Sequence, residues 1–295
     1  LSKKQLGDIH FRDPYILVDQ TRQKYYLYGS TGQNVWSGKA LGFDVYESGD
    51  LVGWEGPIAC FRPEPDFWSD HHYWAPEVYE WEGRYYMFAS FKADGIPRVT
   101  GVLAADQPQG PFEPWSRALT PPEWECLDGT LFIDNGGDPW MVFCKEWVQV
   151  QDGEMYAVRI TRDFKQAIGD PVLLFKASDA VWSVGGGDNQ QNYVTDGPFL
   201  HRMANGELVM MWSTSGQEGY TMGIARSASG QITGPWIQDA EPLFAKDGGH
   251  GMLFRTFEGQ LCLTIHAPNK HPQERPVIFR LEEADGQFIL LDQME

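Results

Sequence analysis

Five times along this chain a strand, a polar turn and a second strand follow one another, and this recurrence restricts the fold more than any other feature. The five segments are RDPYILVDQTRQKYYLYGS (12–30), APEVYEWEGRYYMFAS (75–90), LDGTLFIDNGGDPWMVFCKE (127–146), TDGPFLHRMANGELVMMWS (195–213) and GHGMLFRTFEGQLCLTIHA (249–267). Short apolar and aromatic runs bounded by Gly, Asn, Asp and Pro read as strands and hairpins. A second motif follows each hairpin, at 41–57, 100–115, 156–171, 223–238 and 278–291. Each adds a third strand, a turn and a fourth strand. Four-stranded antiparallel units repeated in order around an axis make propeller blades. The sequence therefore predicts an all-β, five-bladed β-propeller, with residues 1–295 as one catalytic domain. A sandwich of unrelated hairpins would not require the two motifs to alternate.

Composition removes several function classes. The net charge of −18 repels phosphate backbones, which argues against nucleic acid as a partner. No run of about 18 apolar residues occurs, so membrane insertion by a helix is not expected. The four cysteines, Cys60, Cys126, Cys144 and Cys262, show no CxxC pair and no zinc-site spacing. Aromatic residues reach 14%, which suits a strand-rich core and also suits stacking on sugar faces. The chain starts at Leu1, which fits a soluble protein of the cytoplasm or one exported after loss of a leader. Oligomeric state is not readable.

In a propeller the innermost strand of each blade lines the central channel. Four of the five repeats place an acid near the start of that strand: Asp13, Glu77, Asp128 and Asp196. Gathered carboxylates raise one another's pKa, so a chain that gathers them commonly uses them for catalysis or for a cation. Glycoside hydrolysis needs two carboxyl groups in different protonation states, one to protonate the leaving oxygen and one to activate water or attack the sugar.

The motifs RDP, WAPE, DGT, DGP and GHG, in this order at blade spacing, resemble glycoside hydrolase family 43 over essentially the whole chain. The resemblance implies a five-bladed propeller that hydrolyses xylose- or arabinose-containing plant glycans with inversion, here read as exo-acting. It implies Asp13 of RDPYIL as the general base and Asp128 of LDGTLFID as the residue that modulates the acid. The family's acid is usually a Glu in an E-G-P motif opening blade four. This chain reads TDGPF there, which makes Asp196 the matching residue. Asp is one methylene shorter than Glu, and a displacement of about 1 Å can cost on the order of 100-fold in rate.

Glu146 is therefore a second candidate acid. It follows the second strand of blade three, on the face where the first strands begin. Trp74, Trp147, Glu77 and His266 are candidates for binding sugar. His250 of the GHG motif is a candidate cation ligand, since the family's histidine in some members contacts one. A Ca2+ ion in the channel is the metal the resemblance implies, and no cofactor is otherwise required. The Gly-rich run 184–192 predicts a shaped loop near the site. The competing function is a sugar-binding propeller without catalysis, for which the shorter Asp196 is the argument.

Overall fold

The computed structural model describes residues 3–32 and 34–294. It contains five four-stranded antiparallel sheets, each a meander of consecutive strands. Blade one holds β1 (Arg12–Asp19), β2 (Lys24–Ser30), β3 (Phe43–Ser48) and β4 (Glu55–Phe61). Blade two holds β5 (His71–Trp81), β6 (Arg84–Ala93), β7 (Ile96–Ala105) and β8 (Glu113–Ser116). Blade three holds β9 (Cys126–Ile133), β10 (Pro139–Lys145), β11 (Glu154–Ile160) and β12 (Ala167–Lys176). Blade four holds β13 (Asp196–Arg202), β14 (Leu208–Gly216), β15 (Gly219–Ser227) and β16 (Trp236–Gln238). Blade five holds β17 (Gly249–Arg255), β18 (Leu261–Ala267), β19 (Arg275–Ala284) and β20 (Gln287–Gln293). The five-bladed architecture matches the expectation from the repeats.

The second strands explain the packing. MVFC in β10 and LVMMW in β14 are continuous apolar runs because these strands are buried on both faces. Alternate side chains then serve different neighbours. Met141 and Phe143 pack with Tyr86 and Phe88 of blade two, whereas Val142 and Cys144 pack with Met210 and Trp212 of blade four. Val209 and Met211 turn the other way, onto Leu263 and Ile265 of blade five. All four cysteines are buried and free.

Each blade is built from consecutive strands, so no strand exchange closes the ring between blades five and one. Side chains make that junction. The Arg12 guanidinium donates to Oε1 of Glu274 at 2.8 Å, with both side chains buried. Tyr25 stacks on Phe257 at 4.0 Å between centroids, and Arg275 donates to the Gly7 carbonyl. No helix among the described residues is long and apolar enough to cross a membrane.

Candidate active site

Every innermost strand carries a bulge at its start, and the bulged residue has a positive φ. These residues are Asp13 (φ 52°), Ala75 (46°), Asp128 (57°), Gly197 (49°) and His250 (44°). The pairing register shifts at each of these points. A bulge re-aims a side chain out of the regular pleat, and here five bulges aim five positions at the axis. The left-handed backbone is tolerated by Asp and His and free for Gly but strained for Ala75.

What holds these left-handed residues is a relay from blade to blade. In four of the five blades the residue paired across from the bulge accepts the N–H of the next blade's bulge. Ser30 Oγ accepts from Ala75 N at 2.8 Å, Ser90 Oγ from Asp128 N at 3.0 Å, and Ser213 Oγ from His250 N at 2.9 Å. His266 Nδ1 accepts from Asp13 N at 3.2 Å and completes the ring. In blade three the corresponding residue is Cys144, which pairs with Leu127. A thiol is a weak acceptor, and the Asp128 carboxylate takes over, accepting the Gly197 N–H at 3.0 Å. A Cβ at Gly197 would come within 2.6 Å of the His250 ring, so the Gly of the DGP motif is the space that histidine occupies.

Four ionisable groups meet above this ring. His250 Nδ1 lies 3.2 Å from Asp13 Oδ1, 3.6 Å from Asp128 Oδ2 and 3.8 Å from Asp196 Oδ1. Asp13 turns its other oxygen to the Ser30 hydroxyl, which donates at 2.5 Å. Asp196 turns its other oxygen to the Tyr220 hydroxyl, also at 2.5 Å. Burial alone would push Asp13 up, but the His250 and Arg12 charges and the Ser30 bond outweigh it and hold the carboxyl below its ordinary value. Asp128 goes the other way. Burial pushes it well up, and the charge and hydrogen bond of Asp196 push it further. One carboxylate that stays ionised, Asp13, thus faces a carboxyl that keeps a proton, Asp128. Burial and the Arg12 charge depress His266 to about 4, so its neutral ring accepts at Nδ1 and donates from Nε2 to Asn269 at 3.1 Å.

These carboxylates lie at the floor of a cavity of about 410 Å³. Trp36, Trp74 and Trp147 line it, together with Glu146, Arg12 and His271. Glu146 is bonded to Arg98, whose guanidinium lies 4.1 Å from the Trp74 ring centroid and 2.9 Å from His72 Nδ1. Burial raises the Glu146 carboxyl, and the Arg98 charge opposes that rise.

The structure brings Asp13, Asp128, Asp196, Glu146, Trp74, Trp147 and His250 to one cavity. The four acids near the starts of the innermost strands do not all hold equivalent positions. Asp13 and Asp128 are equivalent, but Asp196 precedes its bulge by one residue, and blade two offers Ala75 instead of Glu77. Glu77 sits one layer deeper and accepts a bond from Tyr79. Burial pushes it up to about 8, and it is absent from the cavity wall. His266 is fully buried; it holds the Asp13 backbone and presents no face to a sugar. The run 184–192 does not line the cavity, although Val194 just beyond it does. Sequence reasoning missed Arg12, Trp36, Arg98, Tyr220 and Glu274. Only Arg12 carried a signal, as the first letter of RDP.

The calcium expectation meets an unsuitable donor set. His250, Asp128 and Asp196 present one nitrogen and two carboxylate oxygens within 4.8 Å of one another. Calcium takes about six to eight oxygens, waters included, and these residues supply two carboxylate oxygens beside an imidazole nitrogen, so they do not by themselves form a calcium cage.

The Ser30 contact has a measurable consequence. Ser30→Ala removes a bond that favours ionised Asp13, so the Asp13 pKa rises. The acid limb of the kcat/KM–pH profile then moves upward by about one unit, the scale of a charge-assisted hydrogen bond. An unmoved limb would mean that Asp13 does not govern it.

The profile of the Glycosyl hydrolases family 43 matches residues 8–287. The crystal structure of an endo-arabinase from Bacteroides thetaiotaomicron VPI-5482 superposes with a TM-score of 0.90 at 42% identity, covering 98% of this chain and all of that one, 100%. An extracellular exo-α-(1→5)-L-arabinofuranosidase of Cellvibrio japonicus is 24% identical, over 88% of this chain and 79% of that protein. An endo-1,4-β-xylanase of Bacteroides thetaiotaomicron shares the fold, with a TM-score of 0.79 at 24% identity over 99% of this chain and 97% of that one. With its five bladed sheets, its bulge-borne carboxylates and this match along nearly its whole length, the chain belongs to glycoside hydrolase family 43 and is a glycoside hydrolase.

Proposed function

We propose that this enzyme hydrolyses α-L-arabinofuranosidic bonds of arabinan with inversion, removing residues from chain ends. The observation that carries the mechanism is the geometry around His250: Asp13, Asp128 and Asp196 each bring a carboxylate oxygen within 3.8 Å of its Nδ1, where the His250 and Arg12 charges hold Asp13 down and burial with Asp196 pushes Asp128 up. Asp13 takes a proton from water as that water attacks the anomeric carbon. The proton that Asp128 keeps moves through Asp196 to the leaving oxygen as the glycosidic bond breaks. Solvent then returns the two acids to their starting states. His250 and Ser30 orient Asp13, and Tyr220 orients Asp196. Two considerations support Asp196 over Glu146: the Gly-Pro frame of its motif, and the Arg98 pairing of Glu146, which protonation would weaken.

Arabinose over xylose is supported by the 42% identical endo-arabinase and by the arabinofuranosidase relative. Chain-end action follows the exo-acting arabinofuranosidase relative; the endo-arabinase neighbour makes mid-chain cleavage the competing reading, and the first products from arabinan decide between them. The test compares linear α-1,5-arabinan, an aryl α-L-arabinofuranoside and an aryl β-D-xyloside. Arabinose monomer is the expected first product from arabinan, and the arabinofuranoside is cleaved at least about tenfold faster than the xyloside, as a pocket shaped for one sugar allows. Oligosaccharides as first products would overturn chain-end action, and faster xyloside cleavage would overturn the sugar assignment.

A further inference from the structure

A second group of metal-ligating side chains lies at the junction of blades five and one, outside the carboxylate cluster. His10 comes from the segment before β1, and His271 and Glu274 come from the loop between β18 and β19. His10 Nε2 is 3.2 Å from Glu274 Oε2, and His271 Nδ1 is 3.6 Å from the same oxygen. All three ligand atoms lie within 4.8 Å of one another.

Those spacings have a physical meaning. Zinc binds imidazole nitrogen and carboxylate oxygen at about 2.0–2.1 Å in a tetrahedron, so neighbouring ligand atoms sit about 3.3–3.4 Å apart. The two measured edges bracket that value. Glu274 is also prepared for the role. Its side chain is fully buried, and Oε1 accepts from Arg12 at 2.8 Å, leaving Oε2 to the two imidazoles. A neighbour that fixes a ligating carboxylate in this way is a common support of metal sites. The two imidazoles are 30% and 31% exposed, which leaves a path for an ion. His271 and Glu274 also line the cavity, so the site stands at its wall.

We propose that His10, His271 and Glu274 bind a divalent transition-metal ion of the Zn2+ type. The ion ties the segment before β1 to blade five, across the one junction of the ring where chain ends meet. Two imidazoles and one carboxylate select borderline metals such as Zn2+ over Ca2+ and Mg2+, which prefer all-oxygen shells. This site is separate from the hydrolytic carboxylates, and its test does not depend on the substrate assignment.

The experiment uses the full chain, freed of metal with a chelator and then titrated with Zn2+ by calorimetry, with thermal unfolding followed in parallel. One Zn2+ per chain is expected, with Tm rising by roughly 5 °C at saturation because only the folded state holds all three ligands. His10→Gln and His271→Gln each weaken binding at least about tenfold, since loss of even an outer-shell partner costs roughly that much, and remove the Tm rise. Co2+ offered to the wild-type chain gives the visible absorption of a four-coordinate nitrogen–oxygen set, a readout that needs no variant. Absence of stoichiometric binding overturns the site. So does unchanged affinity in both histidine variants, or a Co2+ spectrum of six-coordinate, all-oxygen type.

Discussion

Asp13→Asn lowers turnover roughly 100-fold or more, the usual range for loss of a general base, while sugar binding persists. The substitution keeps the size of the side chain and removes the charge that draws the proton from water. It also leaves the backbone latch intact, because His266 Nδ1 accepts from the Asp13 N–H and not from its side chain. The fold around β1 is therefore retained, and the loss is one of chemistry. Steady-state kinetics with a separate measurement of sugar affinity distinguish the two. A variant with near-normal turnover would reduce Asp13 to a residue chosen for its left-handed backbone, φ 52°.

Removal of the proton donor has an effect that depends on the leaving group. An alkyl or sugar leaving group needs protonation as the bond breaks, whereas an activated aryl group needs it far less. Asp196→Asn is expected to slow arabinan cleavage about 100-fold or more and to slow an aryl glycoside of low leaving-group pKa much less. Glu146→Gln is expected to slow both by similar, smaller factors, because it releases Arg98 from its partner beside Trp74. If Glu146→Gln alone shows the leaving-group-selective loss, Glu146 is the acid and Asp196 positions it. Equal losses on both substrates in both variants would remove both residues from the role. The pH profile carries the same assignment. Activity falls at low pH as Asp13 gains a proton and at high pH as Asp128 loses the one it keeps.

The repeats and the motifs made the propeller legible, because blade order is written in the sequence as a recurring pair of hairpins. The bulges were not legible. A bulge moves the register by one residue without changing composition, and in blade two it falls on Ala75, which gives no sign of a left-handed backbone. Counting acids along the strands thus promoted Glu77 to a place that Ala75 holds. The same shift set Asp196 one residue ahead of Gly197, where its side chain meets Tyr220 from β15. His266 read as a surface polar residue because a strand-terminal histidine looks the same whether it faces solvent or latches the next blade. Trp36 and Glu274 come from loops with no repeat to mark them, and only the packing of blades brings them to the cavity; Arg98 lies on β7 and acts through its pairing with Glu146.

The central claim is that Asp13 activates water on one face of the sugar while a separate carboxyl protonates the leaving oxygen on the other. The most direct measurement follows the anomer of the first product by proton NMR during early turnover of an α-L-arabinofuranoside, before mutarotation. Inversion predicts β-L-arabinose as the initial product. Initial α-L-arabinose would show retention, in which a carboxylate attacks the sugar itself, and would contradict the assignment of Asp13 as the base.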